Sequence, residues 1–400
     1  MVFRGSLLIA VLTLSLPASA QQTGFAPDAA ARRAPPAPAA GAEPPAPKQL
    51  AVGKEGLFQP ALLLQGWLCI DQGGTQKGPA TPCFGNPAQE WQSSFRLRRA
   101  EIRVKGEIIP KTFGYQVMLD PAKALKFGSA PAPVNNQATP PAQIGVVNVP
   151  TPPPDNAILQ DFYITFLSDY SDVSLGQFKI PVSYEGFNSS SKLVMPERAL
   201  VSRYYGDRRD IGVKAEKKFQ YVGYVLGVFN GQGQNQLDSN NQKDLALRLE
   251  VYPIKDITVA AAGYAALGDW TEIATKDRVE ADVKAEMEHA LLQAEYIHGW
   301  DIIAQAAPAP AGTWKRVEGH GAYGAVGYTF AEKYQPVVRI GFLDPDVDTR
   351  DNTLYHYELG FNYYLRKDEI KFQTSYGLFT SGAAGTGRRA EFIQSVQVSF

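Results

Sequence analysis

The stretch "AEIRVKGEI", residues 100–108, alternates strictly between apolar and charged side chains. Side chains of an extended chain point to opposite faces in turn. Ala100, Ile102, Val104, Gly106 and Ile108 therefore share one face, and Glu101, Arg103, Lys105 and Glu107 share the other. A soluble sheet could not bury that second face. A membrane barrel uses both, its apolar face against lipid and its charged face on a water-filled interior. The same dyad recurs: Val279, Ala281, Val283, Ala285 and Met287 oppose Glu280, Asp282, Lys284 and Glu286. Tyr355, Tyr357, Leu359, Phe361, Tyr363 and Leu365 oppose His356, Glu358, Gly360 and Asn362, with aromatics at both ends of the apolar row, where headgroups meet water. In "SVQVSF", Val396, Val398 and Phe400 oppose Ser395, Gln397 and Ser399.

Working outward from these segments, the alternation predicts strands at 57–70, 95–108, 112–120, 157–167, 172–181, 210–218, 219–230, 243–253, 257–267, 277–287, 289–299, 319–330, 335–343, 353–365, 369–380 and 391–400. Tight turns such as 168–171 and 366–368 alternate with long connections at 71–94, 121–156, 182–209, 231–242, 268–276, 300–318, 344–352 and 381–390. Short turns on one rim and long loops on the other are the arrangement of outer-membrane barrels. The expected fold is all-β, a sixteen-stranded antiparallel transmembrane barrel. Pairing the last strand with the first removes the open edges. Phe400 then ends a lipid-facing row at the periplasmic rim, where it is expected to serve as an assembly signal for the outer-membrane machinery.

Residues 1–20, with Arg4, an apolar run from Leu7 to Leu16, and small residues at Ala18 and Ala20, read as a cleaved secretory signal peptide. No stretch has the roughly 18 to 20 continuous apolar residues of a membrane helix. Residues 21–54 are rich in Pro and Ala and poor in large apolar side chains, which predicts an extended periplasmic tether. The barrel domain is expected over 55–400. A net charge of −1 gives no bulk basic surface for nucleic acid. Cys69 and Cys83, exported to an oxidising compartment, read as one disulfide, with two free buried thiols as the alternative. The four histidines show no metal-ligand spacing, and no cofactor is expected.

One segment is more specific than the architecture: "GQFKIPVSYEGFNSSSKLVMPERALVSRYYGDRRDIGV", residues 176–213. Gly176 to Lys179 with Pro181, the pair Ser190 and Ser191, Glu197 to Ala199, and Arg209 to Gly212 resemble the phosphate-selective porin O and P family. "FRLRRAEIRVKG", 95–106, looks like that family's second strand. The resemblance covers roughly 55–400. It implies a homotrimeric outer-membrane porin whose third long loop folds inward, with lysines and arginines selecting small anions such as phosphate. The segment 182–209 suits such a loop, because Leu193, Val194, Met195 and Leu200 among its charges can pack on a barrel wall.

The candidate anion pathway comprises Lys192, Arg198, Arg203, Arg208 and Arg209 of this loop, Lys179 before it, and Arg99, Arg103 and Lys105 on the inward face of the second strand. Guanidinium forks match oxyanions with two parallel N–H bonds, and a narrow constriction lengthens the reach of each charge. The competing role is structural, with Arg198 paired to Glu197 or a wall carboxylate and Arg209 to Asp210. Glu101, Glu107, Glu280, Asp282 and Glu286 also face inward and would weaken selectivity. A weakly selective general porin, or a non-conducting structural or adhesion barrel, are the alternatives. An enzyme is not expected: Ser189-x-x-Lys192 lacks the further motifs of penicillin-binding enzymes, and "GAAGTG" at 382–387 lacks the Lys-Ser/Thr of a phosphate loop.

Overall fold

Each of the predicted segments is a strand in the computed structural model, which describes residues 50–52, 56–72, 92–125, 131–135, 143–148, 158–267, 276–304, 314–381 and 388–400. The predicted signal segment, nearly all of the predicted tether, Cys83 and the 382–387 turn lie outside the described residues. The strands are β1 (Gly56–Gln72), β2 (Gln92–Ile109), β3 (Phe113–Leu119), β4 (Leu159–Phe166), β5 (Asp172–Lys179), β6 (Arg209–Lys218), β7 (Val222–Phe229) and β8 (Lys243–Val251). They continue as β9 (Ile257–Leu267), β10 (Lys276–Met287), β11 (Ala290–Ala304), β12 (Trp314–Tyr328), β13 (Tyr334–Asp344), β14 (Leu354–Arg366), β15 (Ile370–Ser381) and β16 (Arg389–Ser399).

Every strand pairs antiparallel with its chain neighbour, and β16 pairs with β1 from Ala390 opposite Gln72 to Ser399 opposite Leu63. The barrel is closed, with sixteen strands. Beyond the ladder, Phe400 N donates to Leu62 O (3.1 Å) and Leu62 N donates to Phe400 O (2.8 Å). The short segment Leu50–Val52 adds three pairs to the start of β1, a feature that the expected tether did not include. A backbone hairpin, Pro131–Asn135 with Gln143–Asn148, stands within the connection expected to be an irregular loop. β11 and β12 run further outward than expected, so the predicted 300–318 connection shrinks to 305–313.

The alternation does what the opening stretch implies. Leu359 and Phe361 are exposed at 61% and 46% on the outer wall, while His356, Glu358 and Asn362 between and beside them are buried in the lumen. One irregularity changes the lumen. Gln65 faces Arg99 but Gly66 faces Leu97, so Arg98 is an extra residue in β2. This bulge switches the parity of the strand, and Arg98 and Arg99 both reach the interior.

The connection from Ile180 to Arg208 folds into the barrel. It contains a helical turn at Tyr184–Phe187 whose first turn is capped by the Ser183 hydroxyl, a 3₁₀ turn at Ser190–Lys192 capped by Ser189, and a π turn at Ser202–Gly206. Gly206 allows the close crossing of the loop's two ends, since a Cβ there would stand 2.0 Å from Ser183 Cβ.

Candidate functional site

Irregular backbone inside a barrel needs partners for its carbonyls. The far wall supplies them. Lys371 Nζ donates to Ser191 O (2.7 Å) and Leu193 O (2.9 Å), and Asn362 Nδ2 donates to Val194 O (2.8 Å). Gln373 Nε2 donates to Leu193 O (3.1 Å) and Arg339 Nη2 to Glu197 O (2.8 Å). Apolar side chains complete the seat. Val194 and Met195 pack with Leu291 and Val337, and Leu200, Val201 and Tyr205 pack with Ile297, Tyr323, Leu343 and Leu354.

Two buried carboxylates pin the loop. Glu197 is bound by Arg98 (2.6 Å) and Arg99 (3.1 Å). Glu185 accepts from Ala199 N (2.7 Å) and pairs with Arg339 (3.3 Å). Burial pushes the Glu197 carboxyl upward, but the guanidiniums of Arg98, Arg99, Arg203 and Arg198 outweigh it and hold the group well below the usual carboxylate range. At Glu185 burial prevails over Arg339, and its carboxyl is raised.

This seating divides the candidate cations. Arg198 is a structural pin: Nε donates to Glu185 O (2.8 Å), Nη2 to Ser190 Oγ (3.2 Å), and Nη1 pairs with Asp207 (3.2 Å). The sequence reading paired it with Glu197 or a wall carboxylate; the tight π turn instead brings Asp207 back beside it. Arg209 pairs with Asp161 of β4 (2.7 Å), not with Asp210, whose carboxylate accepts from Ile211 N and Gly231 N (both 2.7 Å). Arg99 binds Gln65 (2.6 Å) as well as Glu197. Lys179 donates to Gly186 O (2.7 Å) and Asn188 O (2.6 Å), tying the loop at its root. Arg208 is exposed and donates to Tyr204 O (2.8 Å). Lys192 is exposed and Arg203 half-buried.

Beside the seated loop, a file of cavities descends from the long-loop rim to the turn rim. The upper one (≈ 420 Å³) is lined by Lys123, Arg208, Arg209, Lys276, Arg278 and Tyr264, among others. Arg209 also lines the middle one (≈ 210 Å³), with Arg103, Lys179, Lys214, Glu101 and Asp161. Gln116 and Tyr163 are common to the middle cavity and the lower one (≈ 290 Å³), which Lys105 and Glu107 both line. Of the sequence candidates, Arg103, Lys105, Lys179, Arg208 and Arg209 line these cavities, whereas Lys192, Arg99, Arg198 and Arg203 do not.

Lys123, Lys214, Lys276 and Arg278 were missed. Lys214 and Arg278 stand at inward positions of predicted strands, so the alternation alone could have found them; Lys276 falls in the predicted 268–276 connection and begins the observed strand. The acidic inward row is also less free than its sequence implies. Glu280 and Asp282 pair with Arg248 of β8 at 3.1 and 2.7 Å, and Glu250 reaches the same guanidinium at 2.8 Å. Cys69 is buried on the lumen face of β1 and is disulfide-bonded; Cys83 lies outside the described residues.

A search of curated protein sequences gives no match. Among solved structures, the outer membrane channel DcaP of Acinetobacter baumannii is 10% identical over 87% of this chain and 99% of its own, with a TM-score of 0.58. The anion-selective porin from Comamonas acidovorans is 9% identical over 86% of this chain and 100% of its own, with a TM-score of 0.57. OmpT of Vibrio cholerae is 11% identical over 88% of this chain and 100% of its own, with a TM-score of 0.54. At such identities the likeness is one of fold. The family model described as phosphate-selective porin O and P matches residues 84–268, the span of β2 to β9 with the inward loop between them.

Proposed function

We propose that this porin sits in the outer membrane and passes small hydrophilic solutes with a preference for anions, phosphate among them. The carrying observation is the balance of charge along the cavity file. Of the acids on the upper cavity, Asp207 is paired with Arg198 and Asp210 is bound by backbone amides. Lys123 and Lys276 have no ion-pair partner among the described residues, and Arg208 meets only a carbonyl. A constriction selects by its nearest fixed charges, because more distant ones are screened beyond about 8 to 10 Å at physiological salt. The Comamonas acidovorans porin of the same fold is anion-selective. A weakly selective channel is the second reading, favoured by Glu101 beside Arg103 (3.5 Å) and by Glu107 beside Lys105 in the lower cavity. Reversal potentials of the purified protein in planar bilayers under a KCl gradient separate the two. Anion preference is the expected result; a ratio of chloride to potassium permeability at or below one overturns it.

Residues 1–20 direct export and residues 21–54 tether the barrel on its periplasmic side in this reading. Its partner is a second and third copy of the chain. β3, β4 and β5 have only 7, 8 and 8 residues, whereas β11 and β12 have 15 each. A strand tilted in a bilayer needs about 9 to 11 residues to cross it. The low wall, with Phe113, Phe162, Ile164 and Leu175 exposed on it, is the face best suited to another barrel.

A further inference from the structure

The upper cavity is not built from donors alone. Its floor is apolar: Ile180 and Val182 of the inward loop pack with Phe178, Phe229, Ala246 and Tyr264 of the wall, and Ile180, Val182 and Tyr264 also line the cavity. Tyr264 hydrogen-bonds Asp244 through its hydroxyl, which fixes its ring in place. An aromatic and cationic part adjoins it, Arg278 being the cross-strand partner of Tyr264. Tyr205 lies under the Arg278 guanidinium at 4.7 Å from ring centroid to Cζ, and Arg278 is held there by Asp301 (2.7 Å) and by Asp277 O (2.6 Å). Lys123, Arg208 and Lys276, which also line the cavity, leave positive charge without a carboxylate partner among the described residues. Gly233 opens the loop side, since a Cβ there would meet nothing within 4 Å.

A station for a bare inorganic oxyanion has no use for an apolar floor, because every face of such an ion seeks a donor. An apolar patch beside unpaired cations fits a solute with both characters. We infer that the upper cavity is a binding station for organic anions: a carboxylate reaches Arg208, Lys276 or Lys123 while an apolar ring or branched chain lies on Ile180, Val182 and Tyr264. The inference rests on the anion reading above and adds to it the chemical class of the solute. The volume, ≈ 420 Å³, accommodates a ring-sized body together with its headgroup water.

The test compares block of the chloride current in planar bilayers by sodium benzoate, sodium acetate and sodium phosphate added on the long-loop side. All three carry the anionic headgroup; only benzoate carries the apolar body. Benzoate is expected to block at a concentration at least tenfold below acetate. The double variant Ile180→Thr with Val182→Thr should bring that ratio toward one, with its folding checked by heat-modifiable mobility. Arg208→Gln with Lys276→Gln should weaken block by both carboxylates together. Equal blocking concentrations for benzoate and acetate in the unmodified protein overturn the inference and leave anion selectivity intact. A cation-selective reversal potential, measured on the same membranes, overturns the anion reading itself. Because the decisive ratio is taken on the unmodified protein, misfolding of a variant does not blunt the test.

Discussion

Arg98 Nη2 lies 2.6 Å from Glu197 Oε2, and this contact ties the inward loop to the one residue of β2 that the bulge adds to the lumen. Losing one partner of a buried ion pair leaves the other charge unmatched, at a cost of about 3 to 5 kcal/mol. Glu197→Gln is therefore expected to loosen the loop, seen as higher and noisier single-channel conductance with the barrel still folded. Conductance identical to the unmodified protein would show that the carbonyl contacts from Lys371, Asn362 and Arg339 suffice.

The same contact has a pH signature. The Glu197 carboxyl is depressed in the folded protein, so its contribution is complete above the ordinary carboxylate range and is lost only as pH falls through its lowered value. Lowering pH from 7 to about 5 should leave this latch closed. Bilayer recordings across that window should show no added open-state noise traceable to the pair, and Glu197→Gln, already loosened at neutral pH, should show no further pH-dependent loosening from this pair. Loosening of the unmodified loop near pH 5 to the level of Glu197→Gln would contradict the depressed value.

Arg198 and Arg208 stand in one loop and were indistinguishable in the sequence, yet their contacts separate them. Arg198 holds Glu185 O, Ser190 and Asp207; Arg208 holds one carbonyl at the edge of the upper cavity. Arg208→Gln should shift the reversal potential toward potassium without changing the yield of folded barrel. Arg198→Gln should lower the folded yield or the loop's order, by an effect of roughly 3 kcal/mol, because Asp207 loses its partner. If the two variants shift selectivity equally and fold equally, the division between pin and pathway fails.

The strands and their faces were legible because a period of two is written residue by residue, and it holds from Gly56 to Phe400 wherever pairing is regular. Arg98 was not legible: a single extra residue resets the parity without changing composition, so only the pairing of Gln65 with Arg99 and Gly66 with Leu97 exposes it. The ion-pair partners were illegible for a different reason. Arg209 finds Asp161 across the intervening strand β5, and Glu185 finds Arg339 through the path of the loop across the lumen; sequence separation carries no information about either. The family resemblance marked the segment 176–213, but which of its cations face water depended on how Met195 and its neighbours seat against Leu291, Val337 and Gly360.

Phe400 closes the seam of the barrel with Leu62 through two backbone hydrogen bonds, and the residue is 76% exposed. Removing Phe400 takes away both bonds at the turn rim and the aromatic end of the outward row. The expected outcome is export at normal levels with several-fold less heat-modifiable, folded barrel in the outer membrane. Normal folded levels would assign the residue to the seam alone and end its role as an assembly signal.

The low wall gives the last prediction. β3 to β5 are too short to cover a hydrocarbon core by themselves, and their outward residues Phe162 (58% exposed) and Ile164 (51%) would meet headgroups and water over part of the height. Covering them with the same wall of a neighbouring copy, around a closed ring, removes that mismatch for every subunit at once. A charge at such a contact has nowhere to go. Ile164→Arg should convert the purified assembly to monomers, measured by size-exclusion chromatography with light scattering in mild detergent. Leu359→Arg, on the outer face of the longer strand β14, meets detergent or lipid in either arrangement, where a long cationic side chain near mid-membrane costs about 2 to 4 kcal/mol but touches no partner. It should therefore reduce folded yield while leaving the oligomer of the surviving protein intact. Oligomers that persist in Ile164→Arg and dissociate in Leu359→Arg would move the interface to the tall wall, and a monomeric unmodified protein would remove it altogether.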